Sequence, residues 1–122
     1  MPDERATPQW VDVGPAVEPD GTLREARFGE LLLGVARAEG VWHVFDAFCT
    51  HAECPLTDGW LEEGAVRCPC HASLFDLATG SVLAGPALEP LRLLPVRVVA
   101  GRVEARLPLP GRATGSRFRT NS

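Results

Sequence analysis

Two short stretches, six potential ligand residues between them, constrain this chain more than anything else in it. Residues 49–56 read Cys-Thr-His-Ala-Glu-Cys-Pro-Leu, and residues 68–73 read Cys-Pro-Cys-His-Ala-Ser. All 4 cysteines and two of the 3 histidines fall there. Each stretch offers a thiol and an imidazole close enough in sequence to converge on one point. Two such loops brought together make a site of two sulfurs and two nitrogens, and a fold that uses it must carry Cys49 and His51 to Cys68 and His71. Structural zinc accepts that donor set, but one residue between Cys49 and His51 is tighter than the usual spacing in zinc loops. Four cysteines also allow a disulfide framework, which a reducing cytoplasm disfavours. A redox pair at Cys68 and Cys70 lacks the βαβ surroundings such pairs have.

The rest of the chain sets the scaffold. A length of 122 residues suits one domain, and 45% apolar residues are enough for a core. Turn residues punctuate the sequence at short intervals, with 11 Pro and 12 Gly, and no stretch keeps a helical period. Strands are expected at Gln9–Val13, Thr22–Phe28, Leu31–Arg37, Val41–Phe45, Ala65–Cys68, Leu74–Leu77, Ser81–Leu83, Leu91–Val99 and Arg102–Leu107. Asp20-Gly21, Glu39-Gly40 and Ala100-Gly101 supply turns. The expected fold is all-β and antiparallel, occupying residues 9–107, with a ligand-bearing section at about 46–80. Residues 1–8 and 108–122 read as loose ends.

Charge and hydropathy exclude several function classes. The net charge is −4, and lysine is absent, so all 12 basic residues are Arg. That removes a P-loop and any amine nucleophile. Residues 1–61 carry a net −7 and residues 62–122 a net +3. Arg112, Arg117 and Arg119 near the end read as a solubilising terminus, and no basic patch interleaved with aromatics points to nucleic acid. The longest apolar run, Leu31 to Ala36, is far short of the ~20 residues that span a bilayer. The N-terminal residues have no secretory character, and the expected location is the cytoplasm.

The pattern Cys49-x-His51-x16-Cys68-x-x-His71 closely resembles the Rieske [2Fe–2S] motif. The likeness extends through Asp58-Gly59-Trp60-Leu61-Glu62, Cys68-Pro69-Cys70-His71, Phe75-Asp76 and Thr79-Gly80. Gly85-Pro86-Ala87 resembles the family's proline loop, which covers the cluster from a third side. The resemblance implies a β-sandwich with an inserted cluster-binding subdomain. It also implies that Cys49 and Cys68 bind one iron and His51 and His71 the other. Two ferric ions, two sulfides and two thiolates sum to zero charge with neutral imidazoles, so reduction leaves a single negative charge. A four-thiolate cluster starts from a dianion, which makes the same step harder and explains the higher potentials of Rieske centres. With no open coordination position evident, the site implied is an electron carrier and not a catalyst.

Within the family, a Rieske oxygenase also needs a mononuclear iron held by two histidines and a carboxylate. Only His43 remains for that role, and in Val41-Trp42-His43-Val44-Phe45 it reads as solvent-facing. The family reading is therefore a monomeric Rieske-type ferredoxin that passes electrons from a ferredoxin reductase to a terminal oxygenase. The alternatives are the Rieske-like small subunit of an NAD(P)H-dependent nitrite reductase and a zinc-stabilised interaction module. Cys54 and Cys70 match positions that form a disulfide in membrane-complex relatives, with two buried free thiols as the alternative. Ser73 matches a position whose hydroxyl bonds a bridging sulfide in high-potential members, and Phe75 a position where they carry Tyr. The resemblance thus implies an intermediate potential that Ser73→Ala lowers and Phe75→Tyr raises. At Ala72 many members have Gly. Glu53, Asp58, Glu62 and Glu63 read either as a solvated face or as a docking surface for a basic partner.

Overall fold

A computed structural model describes residues 8–48, 54–70 and 72–109. The described residues form eleven strands: β1 (Gln9–Pro15), β2 (Leu23–Phe28), β3 (Leu31–Ala38), β4 (Val41–Asp46), β5 (Trp60–Glu62), β6 (Ala65–Arg67), β7 (Leu74–Asp76), β8 (Val82–Ala84), β9 (Leu93–Leu94), β10 (Val96–Val99) and β11 (Arg102–Leu107). They pair as three antiparallel sheets, ordered β1-β11-β10, β2-β3-β4-β9 and β5-β6-β7-β8. Among the described residues, no helix is long and apolar enough to cross a membrane.

The β2-β3-β4-β9 sheet is the middle layer, and β3 shows why. Leu33 and Val35 join Val11, Val13, Val44, Val103, Ala105 and Leu107 in one core, shared with the β1-β11-β10 sheet. Ala36 and Ala38 point the other way, into a second core with Phe45, Cys54, Leu56, Val66, Cys68, Phe75 and Leu77. Successive side chains alternate faces, so a strand buried on both sides needs an unbroken apolar run. This is the physical origin of the Leu31–Ala36 stretch.

Hairpins follow from local chemistry. Glu39-Gly40, Glu63-Gly64 and Ala100-Gly101 all take positive φ at both positions, as two-residue turns between twisted strands require. Several strand boundaries differ from expectation. The expected strand Leu91–Val99 is two strands, because Pro95 has no N–H to give and the chain changes sheets there. β9 pairs with β4, and β10 with β11. β1 runs on through Gly14-Pro15 by way of a register shift after Asp12. β5 was not expected, since three residues are too few to show a period. The tails expected at 1–8 and 108–122 lie almost wholly outside the described residues, although Leu109 still packs on the first core.

Candidate metal centre

The described residues between β4 and β9 pack against the middle sheet, and the two stretches expected to carry ligands leave from pinned stems. The first leaves β4. Phe48 pairs with Pro55 as an isolated bridge, and the Leu56 N–H donates to the Ala47 carbonyl at 2.6 Å. Asp46, nearly buried, accepts the Phe48 N–H at 3.2 Å and an ion pair from Arg92. Leu56, fully buried, anchors the return. Residues 49–53, which include Cys49, His51 and Glu53, lie outside the described residues.

The second loop leaves β6 at Cys68 and returns at Ser73. The Cys68 N–H donates to the Ser73 carbonyl at 2.8 Å, and the Ala72 N–H to the Cys68 carbonyl at 3.1 Å. Arg67 clamps the loop from below: its Nε and Nη2 donate to the Glu62 carboxylate at 2.7 and 2.9 Å, and its Nη1 to the Ala72 carbonyl at 2.7 Å. The Glu62 carboxylate, which also accepts the Trp60 indole N–H, is held below the usual carboxylate range, first by Arg67 and then by Trp60. Ala72 sits at φ 63°, a left-handed conformation that glycine adopts without cost. The family resemblance implies glycine at this position, and the left-handed backbone supplies a physical reason for it. Gly59 lets β5 approach, since a Cβ there would lie 1.9 Å from the Arg67 carbonyl oxygen.

A third segment closes over Ser73. The Ala87 N–H donates to the Ser73 hydroxyl oxygen at 3.1 Å, and both residues are buried. Gly85, at φ 92°, presses so close that a Cβ would lie 2.5 Å from the Ser73 Cα. Gly85-Pro86-Ala87 therefore packs on the second loop as a proline loop would. Leu88 beyond it is 94% exposed, as is Phe48 to 39%.

Of the four expected ligands, Cys68 is described: its side chain is fully buried and its thiol free. Cys49, His51 and His71 lie outside the described residues. Cys54 and Cys70 are joined by a disulfide that ties the first stem to the second loop. The sulfurs of Cys54, Cys68 and Cys70 all lie within 4.8 Å of one another. Phe75 is fully buried and packs in the same core as Cys68.

These features suit an iron–sulfur cluster. A soft sulfur donor lies at the inner edge, and Ser73 also has a hydroxyl proton to donate. Its oxygen accepts from Ala87, while among the described residues its O–H finds no acceptor, though the side chain is wholly buried. A buried hydroxyl proton without a partner costs free energy, and a sulfide beside it would supply the missing acceptor.

His43 departs from its expected solvent-facing position. It is half-buried between two clefts of about 370 and 390 Å³, the second also lined by Glu39, Glu63 and Asp76. Burial pushes its pKa below 6.5, against opposing effects of Asp76, the Leu77 backbone and Glu39. Of the carboxylates read as a solvated face or a docking surface, Glu62 is paired with Arg67, Glu63 lines the second cleft and Glu53 lies outside the described residues. The tryptophans act as core or rim groups. Trp42 lies against Arg24 and Arg37, Trp10 under Arg97, and Trp60 is half exposed. Sequence reasoning missed Arg67; the signal available was its position immediately before Cys68, opposite an acidic turn.

Comparison with known proteins agrees with this geometry. The family model for the Rieske [2Fe-2S] domain matches residues 9–98. The naphthalene 1,2-dioxygenase ferredoxin component of Pseudomonas aeruginosa is 31% identical over 98 residues, covering 80% of this chain and 94% of that protein. The anthranilate 1,2-dioxygenase ferredoxin subunit of Burkholderia cepacia is 41% identical over 59 residues, 48% of this chain; that match spans about half of the relative, 55%. A chain in the complex of reduced oxygenase and oxidized ferredoxin of carbazole 1,9a-dioxygenase superposes with a TM-score of 0.74 at 30% identity. It covers 80% of this chain and 92% of that one.

Proposed function

The chain belongs to the Rieske [2Fe-2S] domain family, and from that premise we propose that it is a cytoplasmic one-electron carrier. It takes electrons from a reductase and delivers them to the terminal oxygenase of a ring-hydroxylating dioxygenase system. Its relatives are ferredoxin components of such systems, and its fold matches a chain from a ferredoxin–oxygenase complex. It is an electron-transfer component and not itself the catalyst. The single observation that carries the reading is the loop closed by the Cys68 N–H on the Ser73 carbonyl, with the free Cys68 thiol buried and the Ser73 hydroxyl buried under the Gly85–Ala87 segment.

In this reading Cys49 and Cys68 hold one iron, and His51 and His71 the other. When bound, the cluster supplies a centre that accepts and gives up one electron. The chain does the rest. Cys68 is buried against Phe75, Val66 and Leu56, which keep water from the inner side. The Ser73 hydroxyl would donate to the bound cluster and favour its reduced state, since bonds to a charged acceptor are the stronger kind. Arg67 and the Cys54–Cys70 bond hold the loops so that little rearranges when charge changes. The exposed Phe48 and Leu88 offer apolar contact beside the loops, and electron-transfer encounters of this sort bury little area.

The test is composition and delivery together. Natively purified protein should contain two irons and two labile sulfides per chain. It should show a paramagnetic signal only on reduction, and should re-oxidise in the presence of a ring-hydroxylating oxygenase with its substrate. Stoichiometric zinc without labile sulfide would overturn the reading. Re-oxidation no faster with the oxygenase than without it would overturn the partner.

A further inference from the structure

Three sulfurs within 4.8 Å of one another, two of them already bonded, are the starting arrangement for thiol–disulfide exchange. In that reaction a thiolate attacks one sulfur of a disulfide and expels the other. We propose that Cys54, Cys68 and Cys70 form a thiol-exchange site, which operates in the chain without its cluster and makes Cys70 a modification site for small thiol-reactive molecules. The proposal rests on the preceding reading only in taking Cys68 to be held by the cluster when one is bound.

The step balances without an outside oxidant or reductant. The Cys68 sulfur bonds to the Cys54 Sγ, and the proton it gives up ends on the departing Cys70 sulfur, which lies within 4.8 Å. The Cys54–Cys70 bond breaks, and its electron pair leaves on Cys70, which takes up that proton. One S–S bond forms and one is lost.

Burial decides which sulfur is attacked. Cys54 is 7% exposed and shares a core with Cys68, whereas Cys70 is exposed. Attack at Cys54 places the departing thiolate on Cys70, where water solvates the charge. Attack at Cys70 would drive that charge into the core, against a desolvation penalty. It would also require a bond between residues separated only by Pro69. From 4.8 Å, bonding distance is reached by a shift of at most about 2.8 Å. The product has Cys54 bonded to Cys68 and Cys70 free at the surface. In that state Cys68 is closed to iron until a thiol reopens the bond, so cluster insertion would depend on a thiol reductant.

The experiment uses the full-length loaded protein, whose iron and sulfide are measured first, so a failure of the cluster reading is seen at that step. Iron is then removed by an anaerobic chelator without reductant, free thiols are alkylated with iodoacetamide, and the bonds are located by fragmentation mass spectrometry. The expected result is a Cys54–Cys68 linkage with alkylated Cys70 in most iron-free chains, while the loaded protein keeps Cys54–Cys70 and an unlabelled Cys70. Cys68→Ser, treated identically, should label Cys70 about tenfold less, because the attacking thiol is gone. Cys49→Ser should label it as the parent iron-free chain does. Alkylation confined to Cys49 and Cys68, with Cys54–Cys70 intact in the iron-free chain, would overturn the proposal. So would equal labelling of Cys70 in Cys68→Ser.

Discussion

Replacing Ser73 by Ala removes one oxygen that has two tasks, and the two can be read separately. The first task is to accept the Ala87 N–H at 3.1 Å in a site where both residues are buried. Without that acceptor the N–H is left unpaired, at a cost of about 1–3 kcal/mol. The second task is to donate a proton toward the cluster. A hydrogen bond to a charged group is worth about 1.5–3 kcal/mol and one between neutral groups about 0.5–1.5. The difference, roughly 1–1.5 kcal/mol, applies only after reduction, when the site gains a negative charge. At 59 mV per tenfold for one electron, that is a fall in midpoint potential of about 40–65 mV. Chemical denaturation of the iron-free protein measures the first effect, and a mediated redox titration of the loaded protein the second. Both should appear, with iron content unchanged. A variant that loses stability while its midpoint stays within about 10 mV would show that the hydroxyl only ties down the 85–87 segment, and would refute the donor role.

Three further outcomes follow from the same geometry. Ala72, at φ 63°, should be improved by Ala72→Gly: relief of left-handed strain exceeds the added chain entropy, for a gain of about 0.5–1 kcal/mol in denaturant titration. Gly85→Ala should be strongly disruptive, by about 2–4 kcal/mol, because its Cβ would meet the Ser73 backbone at 2.5 Å where a positive φ is also required; an unchanged denaturation midpoint would contradict that packing. His43, desolvated between two clefts, should titrate below 6.5 by NMR. Its proton is held less tightly in the folded than in the unfolded state, so its contribution is complete above 6.5 and is lost as pH falls from there toward the folded pKa. His43→Gln should flatten the pH dependence of stability across that acid window and leave the cluster's optical spectrum intact.

The sequence alone was enough for the family and the all-β architecture, because both are written in local order. A thiol and an imidazole at fixed short spacing need no tertiary information to be recognised as a pair, and x-Gly turns between short apolar segments specify antiparallel hairpins from backbone sterics alone. It also named Ser73, Phe75 and the Cys54–Cys70 pair, although only through resemblance. What the sequence could not decide depends on which segments meet. The split of Leu91–Val99 at Pro95 reflects two different partner strands. The half-burial of His43, in a segment whose alternation suggested an outward face, arises because the middle sheet is covered on both sides. The sequence puts Arg67 beside Cys68, but its contacts with Glu62 and the Ala72 carbonyl span β5, β6 and the loop beyond and arise only in the fold. Most of all, the approach of Cys54 to Cys68 and Cys70 within 4.8 Å and the seating of Ala87 on Ser73 join residues 14 or more positions apart. Contacts of that kind are settled by how cores pack and not by neighbours in sequence.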